Sequence, residues 1–172
     1  MPLSASSILW PMLAHVAWVF MLYAWLTVAR TLAVRRGEVD YSAFVLGRDE
    51  PLHVARITRN LANQFELPAI FYALVVLLIA LGKVTVFDVV AAWVFVAGRV
   101  IHTLVQTLTD NVGLRGNVFT INFLAVVALA AHVALIRLVI DFQATRGQGA
   151  RPRGRKSCPS RPSCCRCSFW CC

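Results

Sequence analysis

The first 143 residues contain no cysteine. That absence excludes a disulfide framework, a catalytic thiol and a thiolate metal site from the body of the chain. Charge is also scarce: 15% of residues are charged, where a soluble domain of this size carries about 25%. Acidic residues stop at Asp141, so the formal charge of +9 is not spread evenly. Residues 1–143 hold ten Lys/Arg and eight Asp/Glu, a net +2, and residues 144–172 hold seven Lys/Arg and no acid, a net +7. The basicity belongs to a tail that could touch anionic surfaces, and no nucleic-acid partner is expected of the body. No His, Asp or Glu set has ligand spacing either, so no metal is expected.

What the chain does have is apolar surface. It is 59% hydrophobic with a mean hydropathy of +0.68. A membrane-crossing helix needs about 20 mostly apolar residues, and four runs qualify, at about 8–34, 52–81, 86–109 and 117–140. The expected fold is therefore all-α, an integral-membrane four-helix bundle over residues 1–143. Pro68 lies inside the second run and should kink it or loosen one turn. Residues 37–51 read as a solvated loop, Gly82–Lys83 as a tight turn, and Asp110–Gly116 as a turn with two glycines. The first run lacks a basic lead and is long enough to span, so it reads as a retained helix rather than a cleaved signal.

Residues 144–172 differ in kind. They are rich in Arg, Pro, Ser and Cys, hold all six cysteines, and cannot build a core, so disorder is expected. The spacing Cys164-Cys165-x-Cys167 matches no zinc ribbon or finger. Translation from an altered reading frame is the other account of such a segment.

The informative residues are the polar ones that hydrophobic spans carry at a cost. Arg59, Asn63 and Glu66 are spaced four and three apart, which stacks them on one helical face. By a rise of about 1.5 Å per residue, Glu66 lies roughly 24 Å from the Gly82–Thr85 turn along one span and Arg99 roughly 21 Å along the next. An acid and a base at matching depth should lie close together, directly or through one hydrogen-bonded intermediary. Asn63, His102 and Gln106 lie farther toward the opposite face, joined there by Arg59 and Arg115, with Arg30 and Arg35 ending the first span. His15, Asn122 and His132 read as packing or interhelical hydrogen-bonding residues. Two accounts fit this pattern: a polar network that sets helix register, or a cationic pocket for a carboxylate-bearing ligand, since arginine forks bind carboxylates bidentately. The basic residues Arg30, Arg35, Arg36, Arg48, Arg56, Arg59 and Arg115 put that end at the cytoplasmic face, with both termini on the other side.

These residues also resemble a known family. RITRNLANQFELP, with Arg59, Asn63, Glu66 and Pro68, is similar to the second-helix signature of the MAPEG superfamily, the membrane-associated proteins of eicosanoid and glutathione metabolism. GRVIHT, Gly98 to Thr103, resembles the third-helix signature of the prostaglandin E synthase branch, and Arg115 falls thirteen residues beyond His102 as in that branch. The variant ANQFELPAIFYAL looks more like the bacterial members. The chain departs from the eicosanoid enzymes at three places: one residue rather than two separates Glu66 from Pro68, Gln106 stands where a Tyr is common, and His102 where several members have Tyr.

The resemblance implies a homotrimer that binds glutathione near the cytoplasmic face. Arg59, Asn63, Glu66, His102 and Gln106 would hold glutathione as co-substrate, and Arg115 would stabilise its thiolate as the catalytic residue. Glu66 and Arg99 would form a structural ion pair. Membrane lipid and a lipophilic small molecule would be the other partners. Two functions stay open at this point: a glutathione transferase or peroxidase acting on lipophilic electrophiles or lipid hydroperoxides, and a non-catalytic membrane protein with a lipid-binding groove on the same fold.

Overall fold

A computed structural model describes residues 6–45 and 50–149, with the side chains of 147–149 excepted. Five α-helices account for most of it: α1 Ser6–Arg35, α2 Leu52–Ala62, α3 Leu67–Leu81, α4 Val86–Leu108 and α5 Val112–Gly149. One 3-10 turn, Tyr41–Phe44, lies between α1 and α2. No strand occurs among the described residues. Four helical stretches are long and apolar enough to cross a membrane: Ser6–Arg35, Leu52–Leu81, Val86–Leu108 and Val112–Arg146. Arg48, Asp49 and all six cysteines, and with them most of the tail expected to be disordered, lie outside the described residues.

The second span is where the backbone departs most from expectation. Instead of one kinked helix it is two, α2 and α3, separated by turns at residues 63–66. Pro68 explains the position of the break. It has no N–H to reach the carbonyl of Gln64, and its ring crowds that carbonyl. The chain tightens into short turns, with Gln64 N–H bonded to Leu61 O at 2.9 Å and Phe65 N–H to Ala62 O at 3.0 Å. It then restarts as α3 with the proline in the first turn, where proline is tolerated.

The other junctions are set by local chemistry. Gly82 ends α3 in the left-handed region, at φ 61°, and the Lys83 N–H returns to Leu78 O, the hydrogen bond of a Schellman cap. Thr85 and Asp88 then open α4 with a reciprocal capping box. The expected turn at Asp110–Gly116 is shorter than its glycines suggest. Asn111 Oδ1 accepts the Leu114 N–H at 2.9 Å, which makes Asn111 an N-cap, so Gly113 and Gly116 are already helical. At its other end α5 continues past residue 140 to Gly149, into the segment expected to be disordered.

Two compact units divide the chain, Met1–Leu138 and Val139–Cys172. In the first, two apolar clusters hold the helices. Leu67, Phe71, Val75 and Leu78 of α3 meet Ala92 and Phe95 of α4 and Ala125, Val126 and Leu129 of α5, with Phe71 stacked on Phe95 at 4.4 Å. Leu22, Leu26 and Ala33 of α1 meet Val54, Ile57 and Leu61 of α2. Many large apolar side chains on the outside, such as Trp10, Phe20, Val76 and Leu124, are exposed, as a lipid-facing surface requires. In the second unit, the described part is helical, with the Arg146 guanidinium 4.3 Å from the centre of the Phe142 ring.

Polar groups also pin the helices of the first unit. Asn60 Nδ2 donates to Thr103 Oγ1 at 3.1 Å, joining α2 to α4. His15 Nδ1 lies 2.6 Å from the Tyr72 hydroxyl, joining α1 to α3. His132 Nδ1 lies 2.7 Å from the buried Asp88 Oδ1, joining α5 to the start of α4. His132 is thus the interhelical partner expected of it. Asn122 is not: neither its Oδ1 nor its Nδ2 has a partner among the described residues. It packs instead against the bare backbone of Gly98, where an added Cβ would stand 2.0 Å from Asn122 Oδ1.

Candidate functional site

Three helices each contribute residues one turn apart to a pocket of about 390 Å³. From the last turn of α2 and its C-cap come Arg59 and Asn63; from the end of α4, His102 and Gln106; from the start of α5, Val112, Arg115, Gly116 and Phe119. The i to i+4 spacing places each set on one helical face, and the faces converge because α2 and α5 both flank the last turns of α4. The Asn111 cap matters here. It starts the helix early enough to put Arg115 in the first turn of α5, where its backbone N–H bonds Asn111 O at 3.2 Å.

His102 and Gln106 are buried, and Asn63 Nδ2 donates to Gln106 Oε1 at 3.2 Å. His102 Nδ1 is buried without a partner among the described residues. The His102 ring lies 6.5 Å from that of Phe119, which closes the apolar side of the pocket. Arg59 and Arg115 both line the cavity, and neither has an acidic partner within salt-bridge distance among the described residues. Two uncompensated guanidinium groups facing one cavity are suited to an anion.

Arg99 and Glu66 do not form the expected ion pair. Arg99 is 1% exposed, yet its Nε donates to Gln64 Oε1 at 3.1 Å and its Nη2 to the carbonyl of Asn63 at 2.5 Å. Glu66 is exposed, an electrostatic neighbour of Arg99 without a contact. The break explains the exchange. In an unbroken helix the Asn63 carbonyl would accept the N–H of Leu67. Across residues 63–66 it is released, and Arg99 takes it. Gln64, one turn beyond the Asn60 that bonds Thr103, is the second acceptor. Arg99 thereby holds the residue whose side chain enters the pocket, without lining the pocket itself.

The first helix brings Arg30 to the same end without entering the lining. Arg30 does not point into the pocket; its Nη2 donates to Glu50 Oε1 at 2.6 Å and to Thr58 Oγ1 at 3.2 Å, and Phe44 lies under the guanidinium. The pocket is therefore built by three helices, with α1 as a buttress. Of the residues expected to hold a ligand, Arg59, Asn63, His102, Gln106 and Arg115 share one cavity, and Glu66 stands outside its lining. Sequence reasoning missed Gln64, Asn111 and Phe119. Only Asn111 left a signal, as a capping residue ahead of an apolar helix.

Four helices long and apolar enough to cross a membrane, three of them lining a cationic pocket, define a multi-pass integral-membrane helical bundle, and no group of three or more His, Cys, Asp or Glu among the described residues could hold a metal. Within that class the chain belongs to the MAPEG family, whose family model matches residues 8–135. The match spans the helices that carry the pocket and stops short of the basic, cysteine-rich tail. No curated protein and no solved structure matches the chain. Family membership makes it a membrane protein of eicosanoid and glutathione metabolism.

Proposed function

We propose that the pocket binds glutathione as its thiolate and that the protein is a glutathione transferase or peroxidase acting on lipophilic electrophiles or lipid hydroperoxides. The observation that carries this reading is the pair of guanidiniums, Arg59 and Arg115, that line one cavity without an acidic partner among the described residues. Glutathione brings two carboxylates and an ionisable thiol. A guanidinium beside the thiol favours S⁻ over SH, and the thiolate is the nucleophile. The volume, about 390 Å³, falls in the range of roughly 300–1,000 Å³ usual for small-ligand sites.

In this reading Arg115 is the catalytic residue, holding negative charge on sulfur. Arg59 takes a carboxylate, while Asn63, His102 and Gln106 orient the peptide. Glu66 stands outside the lining of the pocket. In the transferase step the thiolate forms a C–S bond to the electrophile, whose displaced electron pair leaves on the departing group or opened ring. In the peroxidase step sulfur attacks the hydroperoxide, the O–O bond breaks to give an alcohol and a sulfenate, and a second glutathione converts the sulfenate to a disulfide and water. The lipophilic substrate enters from the bilayer, the pocket opens at the cytoplasmic face, and the protein works as a homotrimer.

Titration of the purified protein with glutathione, followed by thiolate absorbance, tests this directly. Saturable thiolate formation that disappears in Arg115→Ala is expected. No signal at high glutathione would favour a non-catalytic lipid-binding protein. That second reading has its own support in an apolar groove of about 320 Å³ between α4 and α5, lined by Phe87, Val90, Val94, Ile121 and Leu124 among others.

A further inference from the structure

The pocket has an outer lobe. A second cavity of about 220 Å³ shares Arg59, Gln106, Val112 and Arg115 with the first and extends it toward the link between α4 and α5. The distinctive pair in this lobe is Arg56 and Asp110, which form an ion pair between Arg56 Nη2 and Asp110 Oδ1. Arg56 lies one turn before Arg59, on the same face of α2. Its side chain is 26% exposed and that of Asp110 87%, so a sheltered cation meets an acid standing at the mouth. Asp110 is held there by its neighbour, since the Asn111 cap anchors the start of α5. Among the described residues it is also the one acid lining either lobe.

A simple dianion would meet the guanidiniums of this lobe and leave Asp110 unmatched. To reach Arg56 it would bring a like charge against Asp110, which is unfavourable. A group with both signs fits well. The α-amino-carboxylate end of an amino acid carries an ammonium and a carboxylate on one carbon, which is the charge complement of an Arg–Asp pair. Its carboxylate would take the fork of Arg56 and its ammonium would take Asp110. The exchange costs little, because an exposed ion pair contributes only about 0–1 kcal/mol in the free protein. We infer that Arg56 and Asp110 form a clamp for a zwitterionic α-amino-carboxylate group, while Arg59 and Arg115 hold the ligand's other anionic centres in the inner lobe. The inference rests on the glutathione reading, in which that group is the α-amino-carboxylate of the γ-glutamyl residue. It orients the peptide, γ-glutamyl end outward and sulfur inward toward Arg115. It also makes the amino group a determinant of recognition.

Calorimetric titration of the full-length protein with two peptides tests the clamp: glutathione, and its des-amino analogue glutaryl-cysteinyl-glycine. Loss of one charge-assisted hydrogen bond corresponds to about ten- to hundredfold in affinity, and the wild type should prefer glutathione by that factor. Asp110→Asn should abolish the preference by weakening glutathione alone, and Arg56→Gln should weaken both peptides. Equal binding of the two peptides by the wild type, or a preference that survives in Asp110→Asn, would overturn the clamp and leave the glutathione reading standing. Failure of both peptides to bind the wild type would overturn the two readings together.

Discussion

Replacing Gly98 by alanine isolates the contact that brings α5 onto α4. The added Cβ would lie 2.0 Å from Asn122 Oδ1 and 3.0 Å from Asn122 Cγ. Asn122 is fully buried and its side chain has no hydrogen-bond partner among the described residues, so what must be lost is space. Its side chain has to rotate inside a closed layer, or α5 must move outward. Overpacking of this kind costs about 1–3 kcal/mol, against which alanine gains up to about 1 kcal/mol in helix propensity. The single substitution should therefore fall between neutral and about 2 kcal/mol destabilising. In an Asn122→Ala background the obstacle is gone and only the propensity gain remains. Gly98→Ala should there be neutral or stabilising by up to about 1 kcal/mol. Equilibrium unfolding of the four proteins of this double-mutant cycle in detergent, followed by a tertiary-structure signal, reads the coupling. The same effect of Gly98→Ala in both backgrounds would refute the argument that Gly98 is required by Asn122.

Arg115→Ala should remove thiolate formation while changing stability by no more than about 0.5 kcal/mol, because the side chain is exposed and has no acidic partner among the described residues; titration and melting on the same sample check both halves. Gln64→Leu should cost about 1–3 kcal/mol by stripping an acceptor from buried Arg99, and should weaken glutathione binding through the loosened Asn63. Glu66→Gln should leave stability within about 0.5 kcal/mol of the wild type; a loss of several kcal/mol would mean that the carboxylate pairs with Arg99 after all. His132→Leu should lower stability by about 1–3 kcal/mol through the lost bond to Asp88, with glutathione affinity unchanged, since that pair lies at the other end of α4.

Hydrophobic content and run length are sums over neighbouring residues, so the sequence by itself determined that this chain crosses a membrane, how many times, and close to which residues. Helical spacing is equally local. It placed Arg59 with Asn63 and His102 with Gln106, and distance along the spans brought these and Arg115 to one end. The identity of contacts across helices is another matter, because it depends on rotation and register that hydrophobic spans do not encode. Gln64 lies roughly 140° round from Arg59 on a regular helix, on the buried Asn60 face rather than the pocket face, and which group of α4 it meets there is decided only when α2 and α4 pack. The turns at residues 63–66 release the Asn63 carbonyl and leave Glu66 without the ion pair that its depth suggested. Arg30 and Glu50 lie on either side of a loop, and nothing in their spacing says that they would neutralise each other and leave α1 out of the pocket. Tertiary structure decided these pairings because a buried charge takes whichever acceptor the folded backbone leaves free, and that is settled only when the helices meet.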